Sequence, residues 1–263
     1  MEASNKENIN YRLSDGSAVK IEYYEALPST AQLARDYARR GYPDRYVVMT
    51  ERQTDTSITR SRLSVGEYDN GIFISVILRP SVFPSQAGLL SHLSALALVT
   101  GLEEHTTSAL GIGWVSDVYS DGKRIGGCSV EGKLNNFSSF EYIIVNFAIK
   151  VNEKSFPTRI TDIIKKVFDG ENRSVGVIIA KTVIEKFFKV YSKLRSPEKY
   201  MEAYNRKFVL QDKKIKYLEE GKKHACKVTG FNKESGALIV EDRSGKRKTI
   251  TSPSSVIIPH KIK

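Results

Sequence analysis

Residues 113–131, GWVSDVYSDGKRIGGCSVE, constrain the fold more than any other stretch of this chain. They read as strand, tight turn, strand. Trp114 and Val115 end the first strand, and Asp117 stands at its mouth. Asp121-Gly122 supplies the turn, because Gly, Asn and Asp take positive φ at little cost. Lys123 and Arg124 open the return strand, and Gly126-Gly127 leaves its backbone bare for a close approach. One hairpin thus gathers a carboxylate, two cations and a surface without side chains. Such a surface is a floor for an anionic small molecule.

The remaining patterning predicts an α+β protein with a mixed sheet flanked by helices. Residues 18–27 (AVKIEYYEAL), 46–50 (YVVMT), 71–78 (GIFISVIL) and 140–151 (FEYIIVNFAIKV) read as strands. Helices are expected after Pro28-Ser29-Thr30, over 84–102, 161–168 and 174–194, and from Pro197 to about residue 207. The second of these is apolar on nearly every face, as a helix buried against a sheet would be. Residues 1–17 read as an N-terminal extension. From residue 211 onward five short, evenly spaced strands separated by Gly and Asn turns predict a small C-terminal β-barrel of SH3-like type, apart from a main domain over 18–210.

Charge and cysteine usage narrow the functional classes. The net charge is +11, and residues 213–263 carry 13 Lys and Arg against 5 Asp and Glu, an excess of 8. That excess suits an acidic partner or, as a weaker reading with few aromatics beside Tyr217 and Phe231, single-stranded nucleic acid. Only two cysteines, Cys128 and Cys226, stand far apart, which fits a reducing compartment. No signal peptide is evident, and residues 89–99 are too short and too broken by Ser91, His92 and Ser94 to cross a bilayer. The cytoplasm and no membrane contact are therefore expected. His92, His105, His224 and His260 lack metal-ligand spacing, so no tightly bound metal is expected. No nucleophile elbow, phosphate-binding loop or dinucleotide fingerprint occurs.

The order Trp114, Asp117, Gly127, Val130, Glu131 resembles the central motif of the biotin protein ligases, Lys-Trp-Pro-Asn-Asp followed by Lys-x-x-Gly and Val-Glu. Gly113, Val115-Ser116 and Arg124 stand where that pattern has Lys, Pro-Asn and the second Lys. Residues 51–62, ERQTDTSITRSR, align without gaps to the family's arginine- and glycine-rich loop, with Glu51, Gln53, Arg60 and Arg62 in common. Thr56 and Ile58 replace glycines there, and β-branched residues disfavour the conformations that turn loop N–H groups toward phosphate. Ser29-Thr30-Ala31 occupies the place of a Ser-Thr-Asn. Phe73, Ile74 and Ser75 fit the strand that follows the loop, and Gly236-Ala237-Leu238 fits a Gly-x-Leu of the family's small cap domain. The resemblance runs from about residue 19 to residue 258. The helix-turn-helix of repressor-type members is not found ahead of Val19.

The resemblance implies ATP-dependent activation of biotin to an acyl-adenylate, with magnesium accompanying the nucleotide, and transfer to a lysine of an acidic biotin carboxyl carrier-type domain. It implies Ser29, Thr30, Gln53 and Gly127 as biotin-binding residues. Arg60, Arg62, Trp114, Ser116 and Asp117 would meet the nucleotide, and Arg124 is the catalytic candidate. It further implies a homodimer paired through the central sheets. Arginine at 124 keeps the charge of lysine but presents it as a planar fork that stands farther out. Two readings stay open. One is an active ligase for biotin or a related carboxylate, and the other is a relative that binds without transferring. Nucleic-acid binding through the basic C-terminal segment ranks behind both.

Overall fold

The computed structural model describes residues 6–55, 70–82, 84–150, 175–258 and 262. Eight strands form one mixed sheet: β1 (Lys6–Arg12), β2 (Ala18–Tyr24), β3 (Tyr46–Arg52), β4 (Asn70–Leu78), β5 (Leu110–Gly113), β6 (Asp117–Ser120), β7 (Lys123–Leu134) and β8 (Phe140–Lys150). Their spatial order is β1-β2-β3-β4-β8-β7-β6-β5. Every pairing is antiparallel except β2 with β3, where the chain crosses over through helix α1 (Thr30–Arg39). Helices α2 (Pro84–Leu102), α3 (Val175–Tyr191) and α4 (Glu198–Lys207) follow. The helix expected over 161–168 falls outside the described residues.

α1 and α2 lie on opposite faces of the sheet. α1 starts where Ser29 Oγ accepts the Gln32 amide at 3.2 Å, and Gly41 at φ 84° lies just past its end. Its buried residues Ala34, Tyr37 and Ala38 pack on Tyr46, Val48, Ile77, Tyr142 and Ile144. On the other face α2 is covered by α3 and α4, which explains why it is apolar all round.

Residues 6–12, expected as part of an extension, are instead the edge strand β1, paired with β2 from Lys6↔Tyr24 to Arg12↔Ala18. Within β1 only Ile9 is buried, so the sequence KENINYR carries little alternation. Its anchor is polar: Lys6 Nζ reaches the buried Glu22 at 2.5 Å. Tyr24 donates to the same carboxylate at 3.0 Å, and the Tyr46 hydroxyl donates as well. Burial opposes the charge on Glu22, but the donors Lys6, Tyr46, Tyr24 and Tyr37 outweigh it and hold its carboxyl below the ordinary range.

The C-terminal strands number five, as expected: β9 (Lys214–Glu219), β10 (Lys222–Phe231), β11 (Leu238–Glu241), β12 (Arg247–Ile250) and β13 (Val256–Ile257). They form an open sheet in the order β12-β11-β10-β9-β13. Among the described residues no ladder joins β12 to β13, so the closure of a barrel is not seen. The inner face of this small sheet is completed from the large one, since Trp114 and Val115 belong to the same buried cluster as Leu210, Ile215, Val228 and Leu238.

A second tie joins the two sheets. His92 of α2 is 3% exposed, with Nε2 3.0 Å from the Gly236 carbonyl and Nδ1 3.3 Å from the Gly88 carbonyl. A neutral imidazole has one N–H, and the shorter contact to Gly236 claims it. Burial pushes His92 down to about 4, against the two carbonyls, which favour the cation. The unfolded chain therefore takes up the proton first, and the contribution of neutral His92 is lost as pH falls from about 6.5 toward the folded value. Unfolding in urea at about pH 7 and about pH 4.5 should expose an acid loss on the order of 2–3 kcal/mol. His92→Gln, which keeps a donor toward Gly236, should remove most of that loss; an unchanged loss in the variant would assign it to other groups.

Candidate functional site

Along β7 the side chains alternate between the two faces. Cys128, with Sγ 3.7 Å from the Ser91 carbonyl of α2, marks the even-numbered residues as facing α2. Glu131, 3.3 Å from Arg35 of α1, marks the odd-numbered ones as facing α1. Gly127, Ser129 and Glu131 thus share a face with α1. The ladders extend this face sideways: Ser75, Asn146 and Ser129 form one cross-strand row, and Phe73, Ala148, Gly127 and Asp117 form the next.

The first row carries a hydrogen-bonded chain beneath the start of α1. Gln53 Oε1 accepts from the Thr30 amide at 2.8 Å and from the Thr30 hydroxyl at 3.2 Å. Ser75 Oγ lies 2.9 Å from Thr30 Oγ1 and donates to Asn146 Oδ1 at 2.7 Å. Asn146 Nδ2 in turn reaches Ser129 Oγ at 3.4 Å and Glu131 Oε1 at 3.3 Å. Arg35 donates to the same Glu131 oxygen and to Gln32. Such groups are buried at a cost of kcal/mol each unless paired, and here each finds a partner.

The second row ends in an ion pair. Arg124 Nη2 lies 3.0 Å from Asp117 Oδ1, with side chains 11% and 7% exposed. The pair sits at the entrance to β6 and β7, whose connection is the Asp121-Gly122 turn with φ of 49° and 72°. That turn is as expected, but Trp114 and Val115 are not the end of a strand. They and Ser116 form a turn between β5 and β6 held on three sides. Trp114 Nε1 donates to Gly236 O at 2.8 Å, Tyr204 OH to Val115 O at 3.0 Å, and Ser116 Oγ to Cys128 O at 2.6 Å.

Of the residues singled out from sequence, Ser29, Thr30 and Gln53 come together at the start of α1. Asp117, Arg124 and Gly127 come together across β6 and β7 on the same face, and Ser116 joins them through β7. Trp114 lies apart, 1% exposed and built into the contact between the sheets. Arg60 and Arg62 lie outside the described residues. Sequence reasoning did not assign Asn146, Ser129 or Arg35 to this face. Asn146 had a signal: it is the only polar residue between Ile143 and Ile149, in a run destined for burial.

No family model matches the chain. By sequence it is 29% identical over 143 residues to the bifunctional ligase/repressor BirA of Bacillus subtilis, covering 54% of this chain and 44% of that protein. It is likewise 29% identical over 161 residues to the protein of the same name from Bacillus spizizenii, covering 59% of this chain and 49% of that one. By sequence the chain is similar to these biotin ligase/repressor proteins. It spans about half the length of these curated relatives. The fold agrees: a biotin protein ligase from Aquifex aeolicus in complex with biotin and ATP superposes with a TM-score of 0.65 at 21% identity, covering 90% of this chain and 97% of that one. A biotin protein ligase-like protein of unknown function from Silicibacter gives 0.64 at 11% identity, covering 89% and 94%.

The Asp117–Arg124 pair is buried, and removing one side of a buried ion pair is costly. Asp117→Ala should destabilise the protein by about 3–5 kcal/mol. Adding Arg124→Leu should recover a large part of that loss. A double-mutant cycle by urea unfolding checks this, and simple additivity of the two losses would mean the groups do not couple.

Proposed function

We propose that the α1 face binds an elongated carboxylate of the biotin class and activates it with ATP. The supporting observation is the placement of two unlike polar groups on one sheet face. The Thr30–Gln53–Ser75–Asn146 chain can hold a neutral, hydrogen-bonding head, and Arg124 can meet an anionic end. Two strand spacings and two residues separate Asn146 from Asp117, or about 12 Å. Among the described residues the Gln53 amide nitrogen makes no hydrogen bond, so its donors are open to such a head group.

In this reading a carboxylate oxygen attacks the α-phosphorus of ATP and pyrophosphate leaves. A lysine amine of an acidic carrier domain then attacks the acyl carbon, AMP departs, and an amide forms. Arg124 acts electrostatically by offsetting charge that gathers as the mixed anhydride forms. Asp117 holds the guanidinium at Nη2, and a guanidinium presents its donors in a planar fork suited to phosphate. Arg60, Arg62 and Ser116 are the further phosphate partners in this reading. Among the described residues no three His, Cys, Asp or Glu side chains cluster as a metal site. In this reading magnesium accompanies the phosphates of the nucleotide.

One observation favours a second reading. Arg124 is already compensated by Asp117 at 3.0 Å, so its net field at an incoming phosphate is weaker than that of a lone cation. A protein that binds the carboxylate without transferring it is the alternative. ATP–pyrophosphate exchange with biotin, lipoate and octanoate separates the two. Exchange dependent on one of these acids is expected, and Arg124→Ala should lower it by about 10²–10³-fold, the usual range for losing one electrostatic donor. Binding of biotin by calorimetry with no exchange for any acid would leave the binding-only reading.

A further inference from the structure

A cavity of about 330 Å³ stands apart from the polar site, on the α2 face of the sheet, where α2, β7 and the small sheet meet. That volume is at the lower end for small-molecule sites. Trp114, Val115, Ile143 and Ala237 form a buried floor. Gly88, Thr251 and Pro253 form an exposed rim.

The walls are held by contacts of their own. Trp114 and His92 both meet the Gly236 carbonyl, at 2.8 and 3.0 Å, which ties the small sheet to α2. On the other side, Asn135 Oδ1 accepts the amides of Phe137 at 2.9 Å and Ser139 at 3.0 Å, so the turn leading to Phe140 is fixed. The Phe140 ring lies over Gly132, where a Cβ would come within 2.8 Å of it. At Gly88, by contrast, a Cβ would meet nothing within 4 Å. A glycine inside a helix is unfavourable relative to alanine, and here its bare backbone leaves the mouth open. The space is therefore formed in advance, which lowers the cost of occupying it.

Its chemistry selects against ions. Among the described residues none that lines it carries a charge, in a chain of which 27% is charged. His92 faces two carbonyls, and its burial favours the neutral form. A charged guest would enter without a counter-ion. Val115, Val130, Phe140 and Ile143 offer an apolar bed. Among the described residues the hydroxyls of Ser91 and Thr251 form no hydrogen bond within the protein, so both are open to a guest.

We propose that this cavity binds a small neutral aromatic molecule carrying one hydroxyl, with its ring on the apolar bed and its hydroxyl bonded to Ser91 or Thr251. A hydroxyl donates and accepts, as Ser and Thr do, so the pairing needs no change of protonation. Because the walls come from both sheets, an occupant bridges them and stabilises the native state by mass action. The site is separate from the α1 face and does not depend on the function proposed for that face. A guest with so few atoms binds weakly.

Trp114 is the chain's only tryptophan, so its emission reports on this cavity directly. The full chain is titrated with benzyl alcohol, and in parallel with benzoate and benzylammonium. Benzyl alcohol should change the emission saturably and raise the melting temperature, and both ions should bind at least about tenfold more weakly. Gly88→Leu and Thr251→Phe, made separately across the mouth, should each weaken benzyl alcohol binding by about tenfold or more. Gly88→Leu replaces a glycine inside a helix, so its unliganded melting temperature should not fall. No saturable response in the wild type, ions that bind as well as the alcohol, or a response that both variants leave unchanged overturns the proposal.

Discussion

The register of β7 against β8 is the constraint on which everything else rests. Slipped by one residue, Ser129 and Glu131 would face the apolar α2 layer, and Cys128 and Val130 would face the polar site. The ladder runs from Gly126↔Ile149 to Leu134↔Phe140 and is pinned at both ends. At one end the Asp121-Gly122 turn and the shift between Val118 and Tyr119 set the entry of β7. At the other, the Asn135 turn sets its exit. Gly126 contributes between them, since a Cβ there would approach the Ala148 carbonyl to 2.6 Å. A side chain at that position would push β7 away from β8. The two-sided usefulness of the strand is thus bought with glycine and turn chemistry rather than with apolar contacts.

With the register fixed, the two faces obey different rules. The α2 face is an apolar layer whose stability grows with area removed from water. The α1 face near Thr30 buries hydroxyls, amides and a carboxylate, and such groups are tolerated only as a connected set. Ser75 is 0% exposed and Asn146 is 9% exposed, so neither can fall back on solvent. Their partners come from α1, β3 and β7, so the chain of hydrogen bonds also holds the helix start over the sheet. Arg79 does the same at the far end of α1, donating to the carbonyls of Ala38, Tyr42 and Glu141. The floor and roof of the site are therefore positioned before any ligand arrives.

Much of this was legible in the sequence where a local rule governs. The Asp121-Gly122 turn, the start of α1 at Ser29 and the buried helix α2 follow from turn chemistry, capping and composition. What escaped depends on partners far away in sequence. β1 looked like a loose lead because its hold on the sheet is Lys6 reaching Glu22 and one buried isoleucine. The polar row was only half visible, because Ser75 and Asn146 announce a need for partners but not which strands will supply them. Trp114 fitted the nucleotide group by motif, yet its indole N–H is spent on Gly236. The expected C-terminal barrel follows from counting strands, whereas closure depends on whether β12 and β13 meet, and strand count is silent on that.

The turn Trp114–Val115–Ser116 shows how the small sheet bears on the site without touching it. Each of its three residues is held by a different element: the segment before β11, helix α4 and strand β7. Two of those holds cross between layers that are remote in sequence, at Gly236 and Tyr204. Asp117 follows at once, and its position fixes the guanidinium of Arg124. A change in how the small sheet packs would therefore reach Arg124 through three consecutive anchored residues. A motif residue can matter for chemistry by fixing the frame from which its neighbour acts, and under the function proposed above that is the part buried Trp114 would play.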